Sequence, residues 1–154
     1  MQIVDVVDPA VLKAHAGADF LRMIKDGELP LAPIFETLDF HLAEVEVGRV
    51  VFAGRPQRRH YNPIGTVHGG WAATLLDSCM ACAVHSTLPA GQGYTTLEIK
   101  VHYTRAVRDD MGPLRAEGRI IHSGRQIGTS EGRLVDDKGR VYAHGTTTCL
   151  IFPL

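Results

Sequence analysis

The longest apolar stretch of the chain runs from Trp71 to Val84 and contains one charged side chain, Asp77. Its length and its Ala, Leu, Met and Cys content are typical of a buried helix rather than a strand. Turn residues at 62–65 and the pair Gly69-Gly70 precede it, which places the start of the helix at these glycines. We therefore predict one long buried helix at the centre of the fold.

Alternation of apolar and polar positions predicts strands on both sides of this helix. One face of the first strand after the helix carries Leu97, Ile99, Val101 and Tyr103. The predicted strands cover Thr37–Val47, Arg49–Phe52, Tyr94–Val107, Leu114–His122, Gln126–Val135 and Val141–Phe152. The order is a strand pair, the long helix and then a four-strand meander. Such an order favours an α+β fold in which a curved antiparallel sheet of five to six strands wraps around one helix.

The N-terminal segment predicts short helices. Asp8-Pro9 suits a helix cap followed by proline at the first helical position. The segment predicts one or two short helices. Gly17 would divide them, and Asp26-Gly27 would end the second. Pro30 and Pro33 indicate a connector. We interpret the chain as one domain over residues 1–154 with a helical extension at about 8–27, which covers the domain edge or a ligand tunnel.

Composition restricts the class of protein. The 154 residues are 45% hydrophobic with a net charge of −1, which suits one globular domain and gives no basic surface for nucleic acid. The N-terminus lacks the basic and apolar regions of a signal peptide, and the apolar run is too short to cross a bilayer. We expect a cytoplasmic protein that does not bind to a membrane.

Two of the three cysteines, Cys79 and Cys82, form a C-x-x-C motif. A zinc or redox site would require further ligands or a position at a helix start. The motif lies deep in the apolar helix, and Cys149 stands alone. Small buried hydrophobic residues are therefore the favoured interpretation, and we expect no metal.

The start of the long helix is suited to binding a negatively charged group. Gly69 and Gly70 have no Cβ, so a ligand can approach the free N–H groups, and the helix dipole favours negative charge there. Asp77 follows about two turns later. One interpretation is an oxyanion site with a general base or nucleophile. The alternative is a helix packed closely on a sheet, with Asp77 bonded to Thr74, Ser78 or a backbone donor.

The pattern Asn62-x-x-x-x-x-His68-Gly69-Gly70 with Asp77 resembles the hotdog-fold acyl-CoA thioesterases of the phenylacetate-degradation (PaaI) type. The resemblance covers about residues 15–152. It implies the hotdog fold, in which the sheet wraps around the long helix. It also implies homodimers with shared active sites, which commonly pair again into homotetramers.

The resemblance also implies roles for particular residues. The Gly69 N–H would bind the thioester carbonyl oxygen, and Asn62 would position that carbonyl or the water. Asp77 would act across the dimer interface as base or nucleophile. Thr96, with Thr95 as a poorer match, would orient the water. Without the resemblance, Asn62 also suits an Asx-turn and the threonines suit strand propensity alone.

Substrate binding is assigned to two further regions. His68 and Gly70 belong to the helix start, where His68 holds the turn or touches the ligand. The turn Ser123-Gly124-Arg125 presents N–H groups and a guanidinium, and relatives use this turn near the CoA phosphates. A plain hairpin with an exposed arginine is the alternative. No serine lies in a nucleophile-elbow motif, which argues against a Ser-His-Asp hydrolase.

These observations predict an acyl-CoA thioesterase that hydrolyses an aryl- or medium-chain acyl-CoA. No cofactor is expected, because coenzyme A is part of the substrate. Two alternatives stay open. One is a hotdog hydratase of enoyl or hydroxyacyl thioesters, and the other is a non-catalytic acyl-CoA-binding module.

Overall fold

Three short helices begin the chain in the computed structural model, which describes residues 3–154. Helix α1 covers Pro9–Ala14, and the Asp8 side chain accepts a hydrogen bond of 2.8 Å from the Ala10 N–H. Helix α2 covers Gly17–Lys25 and ends where Gly27 takes a positive φ of 82°. The two predicted helices are thus confirmed. Met1 and Gln2, which belong to the segment judged not to be a signal peptide, lie outside the described residues.

The prediction for residues 33–39 was wrong. Pro33–Leu38 forms helix α3, whereas the sequence predicted a connector and a strand starting at Thr37. Proline at the first position suits a helix start, and Asp39 ends the helix in the left-handed conformation at φ 52°. The first strand therefore begins only at Phe40.

Within the described part of the chain, six antiparallel strands form one sheet in the order β1-β2-β4-β5-β6-β3. Their bounds are Phe40–Glu46 (β1), Arg49–Gly54 (β2), Gln92–Tyr103 (β3), Leu114–Ser123 (β4), Ile127–Val135 (β5) and Val141–Pro153 (β6). The predicted four-strand meander was wrong in one respect. Strand β3 pairs with β6, and β4 pairs with β2, so only β4, β5 and β6 follow one another in the sheet. The long connection 104–113 permits this crossover, which a short hairpin turn would not.

The long helix α4 covers Gly69–His85 and packs on the inner face of this sheet. Glycines in the strands permit the close approach. A Cβ at Gly118 would lie 2.2 Å from the Cys79 carbonyl oxygen, so no larger residue fits there. The hydroxyl of Ser130 on β5 donates to the Met80 carbonyl oxygen at 2.7 Å. The predicted hotdog arrangement of one long helix against an antiparallel sheet is confirmed.

Strand β3 lies at one edge of the sheet. Its predicted apolar face is exposed in the single chain, with exposed fractions of 56% for Leu97, 36% for Ile99 and 55% for Tyr103. Among residues 3–154 its only strand partner is β6, which leaves one row of backbone groups open. Such an edge is a ready template for another strand.

No helix within residues 3–154 combines the length and the apolar character needed to cross a membrane.

Candidate active site

The N-terminus of α4 leaves one backbone donor open. His68 precedes the helix, and its Nδ1 accepts a hydrogen bond of 2.9 Å from the Gly70 N–H. The Gly69 N–H has no acceptor among residues 3–154. Since the first N–H groups of a helix have no partner within it, Gly69 presents the available donor of this pair to a ligand. His68 therefore acts as a helix cap, one of the two roles that the sequence left open.

Tyr103 limits the size of the residue at position 69. Its hydroxyl donates to the Gly69 carbonyl oxygen at 3.0 Å. A Cβ at Gly69 would lie 3.1 Å from the Tyr103 ring, so the ring would have to move. The end of β3 is thereby held against the helix start.

Asn62 lies in the loop before the helix, and its side-chain amide forms hydrogen bonds within that loop. Its Oδ1 accepts from the Ile64 N–H at 3.1 Å and the Thr66 N–H at 3.2 Å. Its Nδ2 donates to the Thr66 hydroxyl at 3.0 Å. This is the Asx-type arrangement that the sequence offered as the alternative, so Asn62 shapes the loop beside Gly69.

A cleft of about 370 Å³ opens at this end of α4. Its lining residues come from the loop before the helix, the helix start, the end of β3 with the segment after it, and β6: Asn62, Thr66, Val67, His68, Gly69, Ala72, Tyr103, Thr104, Arg105, Ala106, Val107 and Tyr142. Arg105 is exposed there and forms no ion pair with a described residue. We call this the helix-start cleft. It presents the open Gly69 N–H and the Arg105 guanidinium.

Asp77 lies on another face of α4, where Thr96 is its partner. The Thr96 hydroxyl donates to Asp77 Oδ1 at 2.9 Å. Thr74 instead donates to the Gly70 carbonyl oxygen at 2.8 Å, so it does not serve the carboxylate. The partner is therefore the strand threonine that the resemblance selected, whereas Thr95 is exposed.

Asp77 and Thr96 line a second cavity of about 560 Å³ with mainly apolar walls, which we call the acyl chamber. Its lining residues come from the three N-terminal helices, the residue before α3, the first three strands and α4: Leu12, Phe20, Leu21, Ile24, Ala32, Phe35, Leu42, Phe52, Asp77, Ser78, Ala81, Cys82, His85, Tyr94, Thr95 and Thr96. Helix α2 thus covers a ligand-sized space, as the tunnel interpretation of the N-terminal helices expected. The chamber pairs one carboxylate with many apolar side chains.

The two cavities are separate within one chain. Gly69 and Asp77 stand eight positions apart on the same helix, which is about 12 Å along its axis. None of the residues 3–154 lines both cavities. One chain by itself therefore does not bring the open Gly69 N–H and the Asp77 carboxylate to the same cavity.

The turn Ser123-Gly124-Arg125 lies at the opposite end of α4 from Gly69. The Ser123 hydroxyl is 2.8 Å from the Thr87 hydroxyl, just beyond the helix C-terminus. The Gly124 N–H donates to the Ile127 carbonyl oxygen at 2.8 Å, as in a plain hairpin, and Arg125 is exposed. The helix separates this turn from the helix-start cleft by about 25 Å in the same chain.

The model of the thioesterase superfamily matches residues 64–143, which is more than half of the chain. The chain belongs to this superfamily. The matched stretch contains Gly69, Asp77 and Thr96. The predicted membership of a hotdog thioesterase family is thereby confirmed.

Individual relatives agree with this assignment. The chain is 33% identical over 82 residues to the proofreading thioesterase EntH of Cronobacter sakazakii, and the match covers 53% of this chain and 58% of that protein. A phenylacetic acid degradation-related protein of Ralstonia eutropha JMP134 has a TM-score of 0.76 and 28% identity, with 85% of this chain and 98% of that chain covered. A Streptococcus mutans UA159 protein bound to acetyl CoA has a TM-score of 0.67 and 24% identity, with 75% and 90% covered. The chain spans about half the length of the curated relatives it matches, between 44% and 66%.

The cysteines of this superfamily member are free thiols inside the fold. Burial raises the pKa of the Cys79 thiol well above its usual value and the pKa of Cys82 to about 12. Thiols with such pKa values are not thiolates at neutral pH, which disfavours a reactive or metal-binding C-x-x-C. The interpretation as small buried residues agrees with this environment.

Three chamber or cleft residues were not singled out in the sequence as site residues: Tyr103, Tyr94 and His85. Arg105, which is exposed in the helix-start cleft, also belongs to no motif of the sequence. An arginine following a strand, or a histidine at the end of an apolar helix, has no distinctive spacing. Only the packing of β3 and α2 against α4 shows that these side chains border the two cavities.

Proposed function

We propose that the protein is an acyl-CoA thioesterase of the PaaI type, with Asp77 as general base or nucleophile. The observation that carries the proposal is the Asp77–Thr96 hydrogen bond of 2.9 Å inside a mainly apolar chamber. A carboxylate among apolar walls needs a functional or structural reason, and its single side-chain partner leaves lone pairs free. Membership of the thioesterase superfamily supplies the reaction class.

In the general-base route, water adds to the thioester carbonyl carbon and Asp77 accepts the water proton. The oxyanion faces the Gly69 N–H, where the helix dipole also favours negative charge. The C–S bond then breaks, the carbonyl re-forms, and the proton passes from Asp77 to the CoA thiolate. In the nucleophilic route the carboxylate adds to the carbonyl, CoA thiolate leaves, and water hydrolyses the resulting anhydride.

The proposal requires two copies of the chain, because Gly69 and Asp77 lie in separate cavities. The open edge of β3 supports this arrangement. Antiparallel pairing of β3 with its copy, centred between Ile99 and Lys100, would place Tyr103 of one strand opposite Thr96 of the other. Since Tyr103 contacts Gly69 in its own chain, the Gly69 N–H of one copy would then approach the Asp77 of the other. This supports a homodimer with shared sites, which we extend to a homotetramer by the family resemblance.

Coenzyme A binding is proposed at the helix-start cleft. The unpaired Arg105 guanidinium and the open Gly69 N–H suit phosphate and carbonyl oxygens respectively. The solved Streptococcus mutans relative is bound to acetyl CoA, which supports the same ligand here. In a dimer the Ser123-Gly124-Arg125 turn could serve only the cleft of the other copy, because α4 separates it from its own.

The acyl group is proposed to enter the acyl chamber. Phe20, Phe35 and Phe52 line it together with aliphatic side chains, which suits an aryl or medium-chain acyl group.

The test is free-thiol release from a panel of aromatic and aliphatic acyl-CoAs by wild type and by Asp77→Asn. Asparagine can still accept the Thr96 hydrogen bond, so the fold is expected to remain. The control is Asp137→Asn, which removes an exposed carboxylate from the β5–β6 turn. We expect turnover in the wild type and the control and its loss in Asp77→Asn. Full activity of Asp77→Asn would refute the assignment, and absorbance loss with crotonyl-CoA without thiol release would indicate a hydratase.

A further inference from the structure

A basic loop lies against the start of α4. Residues Arg58–His60 form one turn of 3₁₀ helix, and the His60 carbonyl oxygen accepts a hydrogen bond of 2.7 Å from the His68 N–H. The His60 ring also stacks on Trp71 of α4, with 5.9 Å between the ring centroids. The loop is therefore held next to the residue that caps the helix.

Hydrogen bonds within the loop fix its shape. The Gln57 N–H donates to His60 Nδ1 at 3.1 Å, and the Gln57 side-chain amide donates to the Asp39 carboxylate. Burial, and after it the nearby charge of Arg59, lowers the pKa of His60, so this ring is uncharged at neutral pH. The positive charge of the loop therefore comes from its arginines.

The two arginines of this turn are exposed and form no ion pair with any residue in the range 3–154. The Arg58 Cζ lies 4.7 Å from the centre of the Tyr61 ring. The guanidinium of Arg59 lies 3.4 Å from His60 Nε2 and 3.5 Å from the Glu36 carbonyl oxygen, which is long for a hydrogen bond. Most of the N–H donors of both side chains are therefore available to a ligand.

Carboxylates near the loop are bonded to uncharged groups. Asp39 accepts from the Gln57 amide, and Asp109 accepts from the Tyr61 hydroxyl at 2.6 Å. Arg49 on β2 shows the contrast, because several carboxylates pair with it at 2.7–3.0 Å. Since a guanidinium matches the geometry of phosphate oxygens, two unpaired ones beside a ligand cleft suit phosphate groups.

A groove of about 450 Å³ places the loop in line with the helix-start cleft. Arg59 and Tyr61 line it on one side, and Gly70 lines it on the other. His68 lines both the groove and the cleft, so the two spaces adjoin at the residue before Gly69. A ligand whose carbonyl oxygen meets the Gly69 N–H can therefore extend past His68 toward Arg59.

We propose that Arg58 and Arg59 bind the phosphate groups at the nucleotide end of coenzyme A. This inference rests on the proposed thioesterase function and assigns the part of its substrate that the single Arg105 guanidinium leaves unmatched. Coenzyme A carries a diphosphate and a 3′-phosphate, so more than one cation is needed to offset its charge. The pantetheine arm crosses from the cleft to the groove past His68.

The assignment differs from the Ser123-Gly124-Arg125 turn that the family resemblance implies. That turn is separated from Gly69 of the same chain by the length of α4, about 25 Å, so it can reach the thioester only in another copy. The basic loop is hydrogen-bonded to the helix start of its own chain. The two assignments therefore make opposite predictions for Arg59 and Arg125.

The experiment compares two thioesters of the same acyl group, phenylacetyl-CoA and phenylacetyl-pantetheine, of which the second lacks every phosphate group. Hexanoyl thioesters serve if the phenylacetyl pair is not hydrolysed. We expect the wild type to have the higher kcat/KM for the CoA thioester. The variant Arg58→Gln/Arg59→Gln should lower this preference about tenfold or more by raising KM for the CoA thioester at unchanged kcat, since hydrogen bonds to charged groups are lost.

Three further variants separate phosphate binding from other effects. Arg133→Gln removes an exposed arginine of β5 and should leave the preference unchanged. Arg58→Lys/Arg59→Lys keeps both charges and should retain more of the preference than the double glutamine variant. If the double glutamine variant fails to fold, Arg59→Gln replaces it, because the Arg58 contact with Tyr61 then remains.

The proposal is overturned by a wild type that treats both thioesters equally, or by an unchanged preference in the glutamine variant. An equal loss in Arg133→Gln would also overturn it, because the effect would then be one of overall charge. Loss of the preference in Arg125→Gln instead would place the nucleotide at the hairpin turn.

Failure of the thioesterase assignment is distinguished by the binding of free coenzyme A. If neither thioester releases thiol, calorimetry with coenzyme A measures the dissociation constant. An affinity that the glutamine variant lowers about tenfold and Arg133→Gln leaves unchanged would keep the nucleotide site while the hydrolase assignment fails. Absence of binding, or equal affinities of wild type and glutamine variant, would refute the inference independently of turnover.

Discussion

The helix-start cleft and the acyl chamber lie on the same helix, but the cleft offers a backbone group to a ligand whereas the chamber offers side chains. The cleft presents the open Gly69 N–H, and a Cβ added at this position would lie 3.1 Å from the Tyr103 ring. The chamber presents side chains on helices and strands, with Asp77 and Thr96 at one end and His85 at the other. The cleft is therefore sensitive to an added side chain, and the chamber to a removed or altered one.

The comparison also shows that each cavity has half of the required chemistry. The cleft has donors for an oxyanion and a cation for phosphate but no general base among its lining residues other than the capping His68. The chamber has the carboxylate and the space for an acyl group but no open helix N-terminus. A second copy of the chain is the simplest way to join them.

The largest expected effect comes from mixing two inactive variants. Asp77→Asn should lower kcat/KM about a thousandfold or more, because a general base contributes roughly that much. Gly69→Val should also be inactive, since its side chain would displace Tyr103. If sites are shared, mixed dimers of the two variants contain one intact site, and activity should recover to about a quarter of wild type. Thiol release after co-expression checks this, and no recovery in verified mixed dimers would place the site within one chain.

A smaller effect is expected for Gly69→Ala. The added Cβ would lie 3.1 Å from the Tyr103 ring and, in the proposed mechanism, would shift the N–H that binds the carbonyl oxygen. We expect a loss of about a hundredfold in kcat with an unchanged melting temperature, as for removal of an oxyanion donor. Gly112→Ala is the matched control, because no atom lies within 4 Å of its added Cβ. Equal activities of the two variants would argue against an oxyanion role for the helix start.

The stability of the chamber should depend on pH through His85. Desolvation lowers its pKa from 6.5 to about 4 in the folded protein, so the unfolded chain binds more protons between these values. The free energy of unfolding should therefore fall as pH decreases from 6.5 toward 4, by about 2 kcal/mol between pH 7 and pH 5. Urea unfolding at several pH values measures the slope, and His85→Phe should flatten it. An identical slope in that variant would show that other groups cause it.

The smallest effect is expected for Thr96→Val, which removes the hydroxyl that donates to Asp77. Loss of one hydrogen bond to a charged group should reduce kcat about tenfold. Thr146→Val is the control, since Thr146 is an exposed strand threonine that lines neither the cleft nor the chamber. A kcat for Thr96→Val equal to that of the control would mean that Asp77 needs no orienting hydroxyl.

Local features of the chain were predictable because neighbours a few residues apart decide them. The caps at Asp8 and Gly27, the start of α4 at Gly69 and its run through Asp77 follow from residue type and spacing. The hairpin turn after His122 was located in the same way. Even so, the short helix at 33–38 was missed, since six residues carry too little periodicity to indicate it.

Long-range pairing decided the rest. Strand β3 lies beside β6 rather than β4, which brings Thr96 to Asp77 and leaves Leu97 exposed at the sheet edge. Packing of α2 over α4 encloses His85 in the acyl chamber, although no spacing in the sequence indicated it. Local conformation depends on backbone preferences that each residue carries with it, whereas the neighbours of a strand or a buried imidazole depend on how distant apolar faces are buried together.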